Sequence, residues 1–277
     1  MIAGKHDLSR ARQHLMLEQV TPLILTLNEA PNIQGTLEKL SWASDIVVVD
    51  SGSTDATREV LARHDRVRVF ERPFTTHAEQ WNYGLERTAI RTDWVLALDA
   101  DFVLTDALVR ELTSLEPAPD VDGYRASFVY CMEGVPLRGA VYPPVVALYR
   151  RLGARYVQDG HTQRVELAGR VESLAAKILH DDRKPLARWY SAQLGYMQME
   201  ARKLHASPFW SLRWPDRVRK LVIVAPVAML FYCLIVKGNL LDGRRGLLYA
   251  LQRATAEAIL SLLLLEAKLR SESAHEG

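Results

Sequence analysis

DIVVVDSGSTD, residues 45–55, decides how this chain is read. Its first half is a β-branched, almost wholly apolar run, which reads as a strand from Asp45 to Val49 covered on both faces. The run ends at Asp50, and Ser51-Gly52 allows a tight turn with close backbone approach to a ligand. Thr54 or Asp55 then caps a helix to about Arg63, and Ser53 and Asp55 read as structural caps. Working outward, Thr21 to Leu27 is another short apolar strand, followed by a helix over Asn32 to Leu40. Arg66 to Phe70 alternates and sits nearer an edge. His77 to Ile90 is helical, and Trp94 to Leu98 is again apolar throughout. Strands alternating with helices, each strand a near-continuous apolar run, predict a mainly parallel sheet with helices on both faces, an α/β fold.

From about 120 to 180 the pattern changes to Gly, Pro and short β-like runs at Tyr124–Tyr130, Val145–Arg150 and Arg164–Leu167, a mixed extension of the sheet with long loops. Leu186 to Leu204 turns helical and amphipathic. Leu221 to Val236 then holds no charge, which is short for a spanning helix of about 20 residues and long for a core segment. Arg213, Arg217, Arg219 and Lys220 precede it, and Lys237, Arg244 and Arg245 follow, so positive charge on both flanks argues against a simple single crossing. A helix from about Gly246 to Leu269 gathers Leu247, Leu251, Ala254, Ala258, Leu262 and Leu265 on one face, and Arg253, Glu257 and Lys268 on another. These two helices, joined at Lys237-Gly238-Asn239, read as lying in a membrane interface or dipping in and returning; a soluble lid or dimer interface is the competing reading. The domain plan is an N-terminal extension over 1–20 without an apolar signal region, a main domain over 21–205 that divides near 105, and membrane-associating helices over 206–277.

A net charge of +2 gives no field that would favour nucleic acid. Cys131 and Cys233, far apart, make neither a disulfide framework nor a zinc site.

The chemistry sits where strands end: Asn28 and Glu29 after the first, Asp50 and Gly52 after the second, Asp99 and Asp101 after the fourth. Open parallel sheets bind ligands outside these carboxyl ends, so three acidic clusters converge on one crevice. Asp99 and Asp101 can present oxygens to one Mg²⁺ or Mn²⁺ lying between them and a diphosphate, whose charge they would otherwise repel. Asp50 can accept hydrogen bonds from a base imide or ribose hydroxyl, or else organise the turn. A lone Asp-x-Asp is weak evidence: Asp120-Val121-Asp122 is a second copy and reads as a solvated loop, because only Asp99 follows an apolar strand. His180, after the apolar Leu174–Leu179, completes the metal shell, contacts the diphosphate, or is a plain core histidine.

Taken together, Thr26-Leu27-Asn28-Glu29, Val48-Val49-Asp50-Ser51-Gly52-Ser53-Thr54-Asp55 and Leu98-Asp99-Ala100-Asp101 resemble the family 2 glycosyltransferases in order and spacing, and Gln80-Trp81-Asn82-Tyr83-Gly84-Leu85 looks like the family's segment before its metal motif. The match covers about residues 20 to 105; the tail is similar to the membrane-associated branch related to lipopolysaccharide-core transferases. The resemblance implies a GT-A type nucleotide-diphospho-sugar transferase fold, inverting transfer and a divalent metal. It implies a nucleotide-sugar site drawn from Thr26, Asn28, Glu29, Asp50, Gly52, Asn82, Asp99 and Asp101, with Glu29 and Asp50 on the nucleoside and Asp99 and Asp101 on metal and diphosphate. It leans toward a UDP-sugar donor, a lipid-linked or glycan acceptor, and the cytoplasmic face of a bacterial inner membrane. Phe102 stands where many members carry a further acid.

Inverting transfer needs one base for the acceptor hydroxyl. Asp159 and His161 are the candidates by type; Gly160-His161-Thr162 stands where related sequences carry a His-Glu pair. Two rivals remain, a nucleotidyltransferase and a non-catalytic nucleotide-sugar-binding protein. The first would usually show a Gly-rich basic loop near the first strand, and Thr26-Leu27-Asn28-Glu29-Ala30 has neither glycine nor a base.

Overall fold

The computed structural model describes residues 17–159 and 162–273; the first sixteen residues of the expected extension lie outside them. In chain order the elements are β1 (Val20–Thr26), α1 (Ile33–Glu38), β2 (Ile46–Asp50), α2 (Thr57–Leu61), β3 (Val67–Glu71), α3 (His77–Arg87), β4 (Trp94–Asp99), β5 (Phe102–Leu104), α4 (Asp106–Ser114), β6 (Val121–Met132), β7 (Val135–Pro136), β8 (Val145–Arg150), β9 (Arg155–Asp159), β10 (Thr162–Glu166), β11 (Arg170–His180), α5 (Leu186–Ala206), α6 (Trp214–Arg219), α7 (Val224–Phe231) and α8 (Gly243–Ser273). They fall into two compact units. The first holds the chain up to Gly134 with Tyr142–Gln158 and Gln163–Arg183; the second holds Val135–Val141, residues 159 and 162, and the chain from Lys184 onward.

In the first unit the sheet runs β3-β2-β1-β4-β8-β6-β11-β5. The four strands read from the apolar runs pair in parallel. β8 enters antiparallel between β4 and β6, and β5 closes the edge antiparallel to β11, so the sheet is parallel where the sequence is most apolar and mixed beyond it. Alternation along each buried strand feeds two cores. Ile24, Val48, Leu96 and Leu98 join α1 and α4 side chains in one core, while Leu23, Val47, Val49, Val95 and Ala97 meet α3 in the other. This is why residues 46–49 and 94–98 carry no polar residue: a strand sandwiched by helices has no wet face. A Cβ at Gly84 on α3 would stand 2.7 Å from Leu23 Cδ1, so glycine there sets how closely α3 lies on β1. Thr76 and Thr105 cap α3 and α4 by accepting from the backbone N–H of Glu79 and Leu108. β5 escapes a periodicity reading because three residues are too few to show a period.

In the second unit α5 packs on α8 through Met197, Leu204, Ala256 and Leu260. Pro226 falls in the first turn of α7, where a missing N–H breaks no helical bond, and the helix continues through a π-helical turn at Tyr232–Val236. The loop 135–141 is tied to the turn before α8: Arg138 N–H donates to Asp242 (3.0 Å), Asn239 Nδ2 donates to the Gly139 carbonyl (2.9 Å), and Tyr249 hydroxyl accepts from Val141 N–H (2.9 Å). Asn239–Glu272 is long and apolar enough to cross a membrane by length and composition.

One polar cluster lies inside this unit. Arg219 makes a fork to Glu257, with Nη2 at 2.9 Å, and its Nη1 is 3.2 Å from Asp216 and 3.6 Å from Glu200. Both glutamates are buried. Burial lowers the Arg219 pKa, and Glu257, by charge and hydrogen bond, together with Glu200 and Asp216 more than offsets it, so the guanidinium is held charged. Arg219→Met is therefore expected to cost about 3–5 kcal/mol, because it strands two buried carboxylates. The measurement is chemical denaturation, with Arg219→Met/Glu200→Gln/Glu257→Gln recovering most of the loss; an unchanged midpoint for the single variant refutes the reading.

Candidate functional site

The register of the parallel strands places the strand-end residues. Thr26 stands beside Asp50 and Leu25 beside Asp99, so the carboxyl ends of β1, β2 and β4 lie side by side. Sequence order alone separates these residues widely; parallel pairing brings them level.

Asp50 is fully buried. Its Oδ1 accepts from Thr26 Oγ1 (2.8 Å) and Ser53 Oγ (2.5 Å), and its Oδ2 accepts from the N–H of Gly52 (3.1 Å) and Ser53 (2.8 Å). Four internal donors engage the acceptor capacity that a nucleoside would otherwise take. The side chain organises the 50–53 turn. Gly52 has φ +89°, and nothing lies within 4 Å of a Cβ placed there, so backbone conformation rather than crowding requires glycine and the turn faces open space.

Asn28, at φ 57°, links this turn to β1. Its side-chain oxygen accepts from the N–H of Thr54 (2.6 Å) and Asp55 (3.2 Å), and its own N–H donates to Ser53 Oγ (2.7 Å). Glu29 N–H donates to Thr57 Oγ1 (2.7 Å), and Glu29 Oε2 accepts from Asn32 Nδ2 (2.8 Å). Asn32 reaches further: it donates to Asp182 Oδ1 (3.2 Å) and accepts from Arg183 N–H (2.9 Å). Asn32 was not singled out in the sequence, because its partners follow it by about 150 residues and no local pattern marks them. Asn82 clamps the Tyr156 backbone, donating to its carbonyl (2.9 Å) and accepting from its N–H (2.8 Å). Below it Tyr156 stacks on Trp81 and donates to the Tyr149 hydroxyl. Burial raises the Tyr156 pKa far above its usual value, with Tyr149 and the Asp99 charge adding to it; the phenol stays neutral.

The third acidic end is built by long-range pairing. His180 closes β11 opposite Phe102 of β5, and Asp181 N–H donates to the Asp101 carbonyl (3.0 Å). This sets His180 Nε2 3.3 Å from Asp101 Oδ2, with both side chains about nine-tenths buried. Phe102, Tyr130 and Tyr142 pack their rings around the imidazole. Burial alone lowers the His180 pKa; the Asp101 carboxylate, helped by Asp99 and Asp182, outweighs it and the pKa is raised. His180 Nδ1 is buried without a hydrogen-bond partner among the described residues.

The donor types brought together here, a carboxylate and an imidazole, are ones a divalent cation accepts. Three carboxylates already favour positive charge at His180, and a cation answers the same field. Among the described residues no three His, Cys, Asp or Glu side chains form a protein-only cage. Asp101 and His180 instead offer a pair of donors, and small hard cations commonly take one or two protein ligands and complete the shell with phosphate oxygens and water. The other Asp-x-Asp behaves differently: Asp120 pairs with Arg170 at the surface and Asp122 accepts from Gly169 N–H.

Of the two base candidates, Asp159 belongs to the second unit, where it is exposed and 2.9 Å from Lys203 Nζ. His161 lies outside the described residues.

A family profile described as "Glycosyl transferase family 2" matches residues 23–163, half of the chain. An uncharacterized glycosyltransferase of Rickettsia bellii is 27% identical over 143 residues, covering 51% of this chain and 47% of that one. The lipopolysaccharide core biosynthesis glycosyltransferase LpsC of Rhizobium meliloti is 31% identical over 113 residues, covering 39% and 41%. The chain thus spans less than half the length of these curated relatives. Among solved structures, S. aureus TarS 1–349 in complex with UDP-GlcNAc covers 90% of this chain and 91% of its own, at 13% identity and a TM-score of 0.45.

Proposed function

The chain belongs to glycosyl transferase family 2, and from that premise we propose that it is an inverting glycosyltransferase moving a sugar from a nucleoside-diphosphate sugar, UDP-linked by preference, to a hydroxyl or phosphate of a lipid-linked or cell-envelope glycan acceptor. The observation that carries this reading is the alignment of Thr26, Asp50 and Asp99 at neighbouring carboxyl ends, with Asp101 against His180 beside them. The naming of LpsC supports an envelope acceptor, and the family resemblance of the strand-end motifs is the source of the lean to uridine. The apolar stretch Asn239–Glu272 supports work at a membrane, which we assign to the cytoplasmic face of a bacterial inner membrane.

The roles follow from position. The 50–53 turn and the Asn28 link fix the floor on which the nucleoside rests, with Glu29 and Gly52 at its rim. Asp101 and His180, with Asp99, would hold Mg²⁺ or Mn²⁺. When bound, that cation supplies neutralising charge to the departing diphosphate. The acceptor oxygen bonds to the anomeric carbon as the bond to diphosphate breaks, and the hydroxyl proton passes to a base. We place that base at Asp159 or His161. Asp159→Asn distinguishes them: a fall in turnover of about a hundredfold or more with donor binding intact assigns Asp159, and an unchanged rate moves the role to His161.

The direct test is release of nucleoside diphosphate from a panel of nucleotide sugars, with and without Mn²⁺. No turnover with any donor, while nucleotide still binds by calorimetry, would leave a binding protein on a transferase fold.

A further inference from the structure

The polarity of α8 is inverted. Its charged middle, Arg253 and Glu257 with Ser261, turns into the second unit, where Glu257 meets Arg219 and Ser261 donates to the Val222 carbonyl (2.6 Å). Its leucines turn out: Leu247, Leu251, Leu262, Leu265 and Leu269 are exposed, Leu262 by 67%. These positions share one side of a helix turning 100° per residue, opposite the buried Tyr249, Ala256 and Leu260. The preceding segment does the same, with Ile223, Val227, Phe231, Ile235 and Val236 outward and Ala225 and Cys233 inward. Water does not favour such a surface, and its continuity over two helices exceeds the scattered apolar exposure of ordinary monomers.

Charge names the occupant. Residues 184–277 carry 14 Lys and Arg against 7 Asp and Glu, a formal charge of +7 in a chain whose total is +2. Arg213, Arg244 and Arg245 are exposed at the ends of the apolar helices, and Trp210 and Trp214 are exposed by 80% and 75%. Tryptophan and arginine around an apolar face suit the headgroup level of a bilayer. A second copy of this chain would bring the same basic rim against itself.

The packing also sets the geometry. Val224–Val236 rises only about 20 Å at 1.5 Å per residue, short of a hydrocarbon layer of about 30 Å. α8 is long enough, but α5 covers its inner face at Ala256 and Leu260, and α5 exposes Gln198, Arg202 and His205. Driving α8 across the layer would carry those groups and the Arg219–Glu257 pair into hydrocarbon.

We infer that α7 and α8 form a monotopic docking surface that lies in the plane of an anionic lipid bilayer, leucines down, with the Trp210, Trp214 and arginine rim at the phosphates. The inference deepens the membrane part of the proposed function. It does not depend on sugar transfer, since vesicle flotation reads this surface and nucleoside-diphosphate release reads the site.

The experiment adds the full chain to preformed vesicles of phosphatidylcholine alone or with one-third phosphatidylglycerol. Flotation is expected with the anionic vesicles and to weaken at high salt. Leu251→Glu/Leu262→Glu, both exposed positions, should lower bound protein by about tenfold or more, while Arg244→Glu/Arg245→Glu should remove the preference for phosphatidylglycerol. Arg244→Cys and Ser271→Cys, at opposite ends of α8, should both react with an impermeant maleimide on intact vesicles; the native cysteines are buried. Protection of one of them means a crossing helix and overturns the inference. So does wild-type flotation of the leucine variant, or loss of a dimer in that variant with no vesicle binding by the parent.

Discussion

Asp101→Ala is expected to reduce nucleoside-diphosphate release by about a thousandfold or more while leaving the fold intact. The carboxylate lies 3.3 Å from His180 Nε2 and is the largest of the acidic contributions that together outweigh the burial of the imidazole. Removing it takes the carboxylate beside His180 out of the proposed cation site and leaves only Asp99 and His180 for the ion. The backbone does not depend on the side chain: the Asp101 carbonyl still receives Asp181 N–H, and Phe102 still pairs with His180. Asp101→Asn preserves volume and isolates the charge, so it should be nearly as inactive. His180→Ala should weaken Mn²⁺ dependence in the same direction. The assay is product release across a Mn²⁺ titration, with circular dichroism to verify folding. Near-normal turnover of Asp101→Ala at saturating Mn²⁺ removes the metal role from this pair.

Asp50→Ala is expected to fail differently, in stability as well as donor binding. Four donors lose their acceptor at once, two of them backbone N–H groups of a turn with no other partner in view. An unsatisfied buried donor costs about 1–3 kcal/mol, and partial relaxation brings the expected total to about 3–5 kcal/mol. Thr26→Val and Ser53→Ala each remove one donor and should cost about 1 kcal/mol. The Thr26→Val effect should vanish in the Asp50→Ala background, because the partner is already gone, while Ser53→Ala should keep part of its cost, since Asn28 N–H also loses Ser53 Oγ. Denaturant midpoints measure the first effect and calorimetry with a nucleoside diphosphate the second. Full stability with lost binding would instead put Asp50 in direct contact with the nucleoside.

In sequence both acids lie at the carboxyl end of an apolar strand, Asp50 closing β2 and Asp101 two residues after Asp99 closes β4. They separate because one meets four donors from its own turn and the neighbouring strand, and the other meets a histidine from the far edge of the sheet. Asn28 and Asn82 follow Asp50: both occupy the positions the family pattern marks, and both are engaged in holding backbone to backbone. Asp159 gained a lysine from α5 that no spacing announced.

What the sequence determined alone is therefore local and periodic. Unbroken β-branched runs over 46–49 and 94–98 demand burial on two faces, which only helices on both sides supply, and the acids that stop those runs mark the strand ends. The two-faced pattern of 246–269 was equally plain. Tertiary structure decided the pairings: β11 against β5, which sets His180 on Asp101, and the inward turn of Glu257 toward Arg219, which leaves the leucines outside. A helical wheel shows two faces without saying which is in, and a strand shows its edges without naming its neighbour. Those choices rest on contacts between residues far apart in the chain, where the energy of burying one arrangement is weighed against every other.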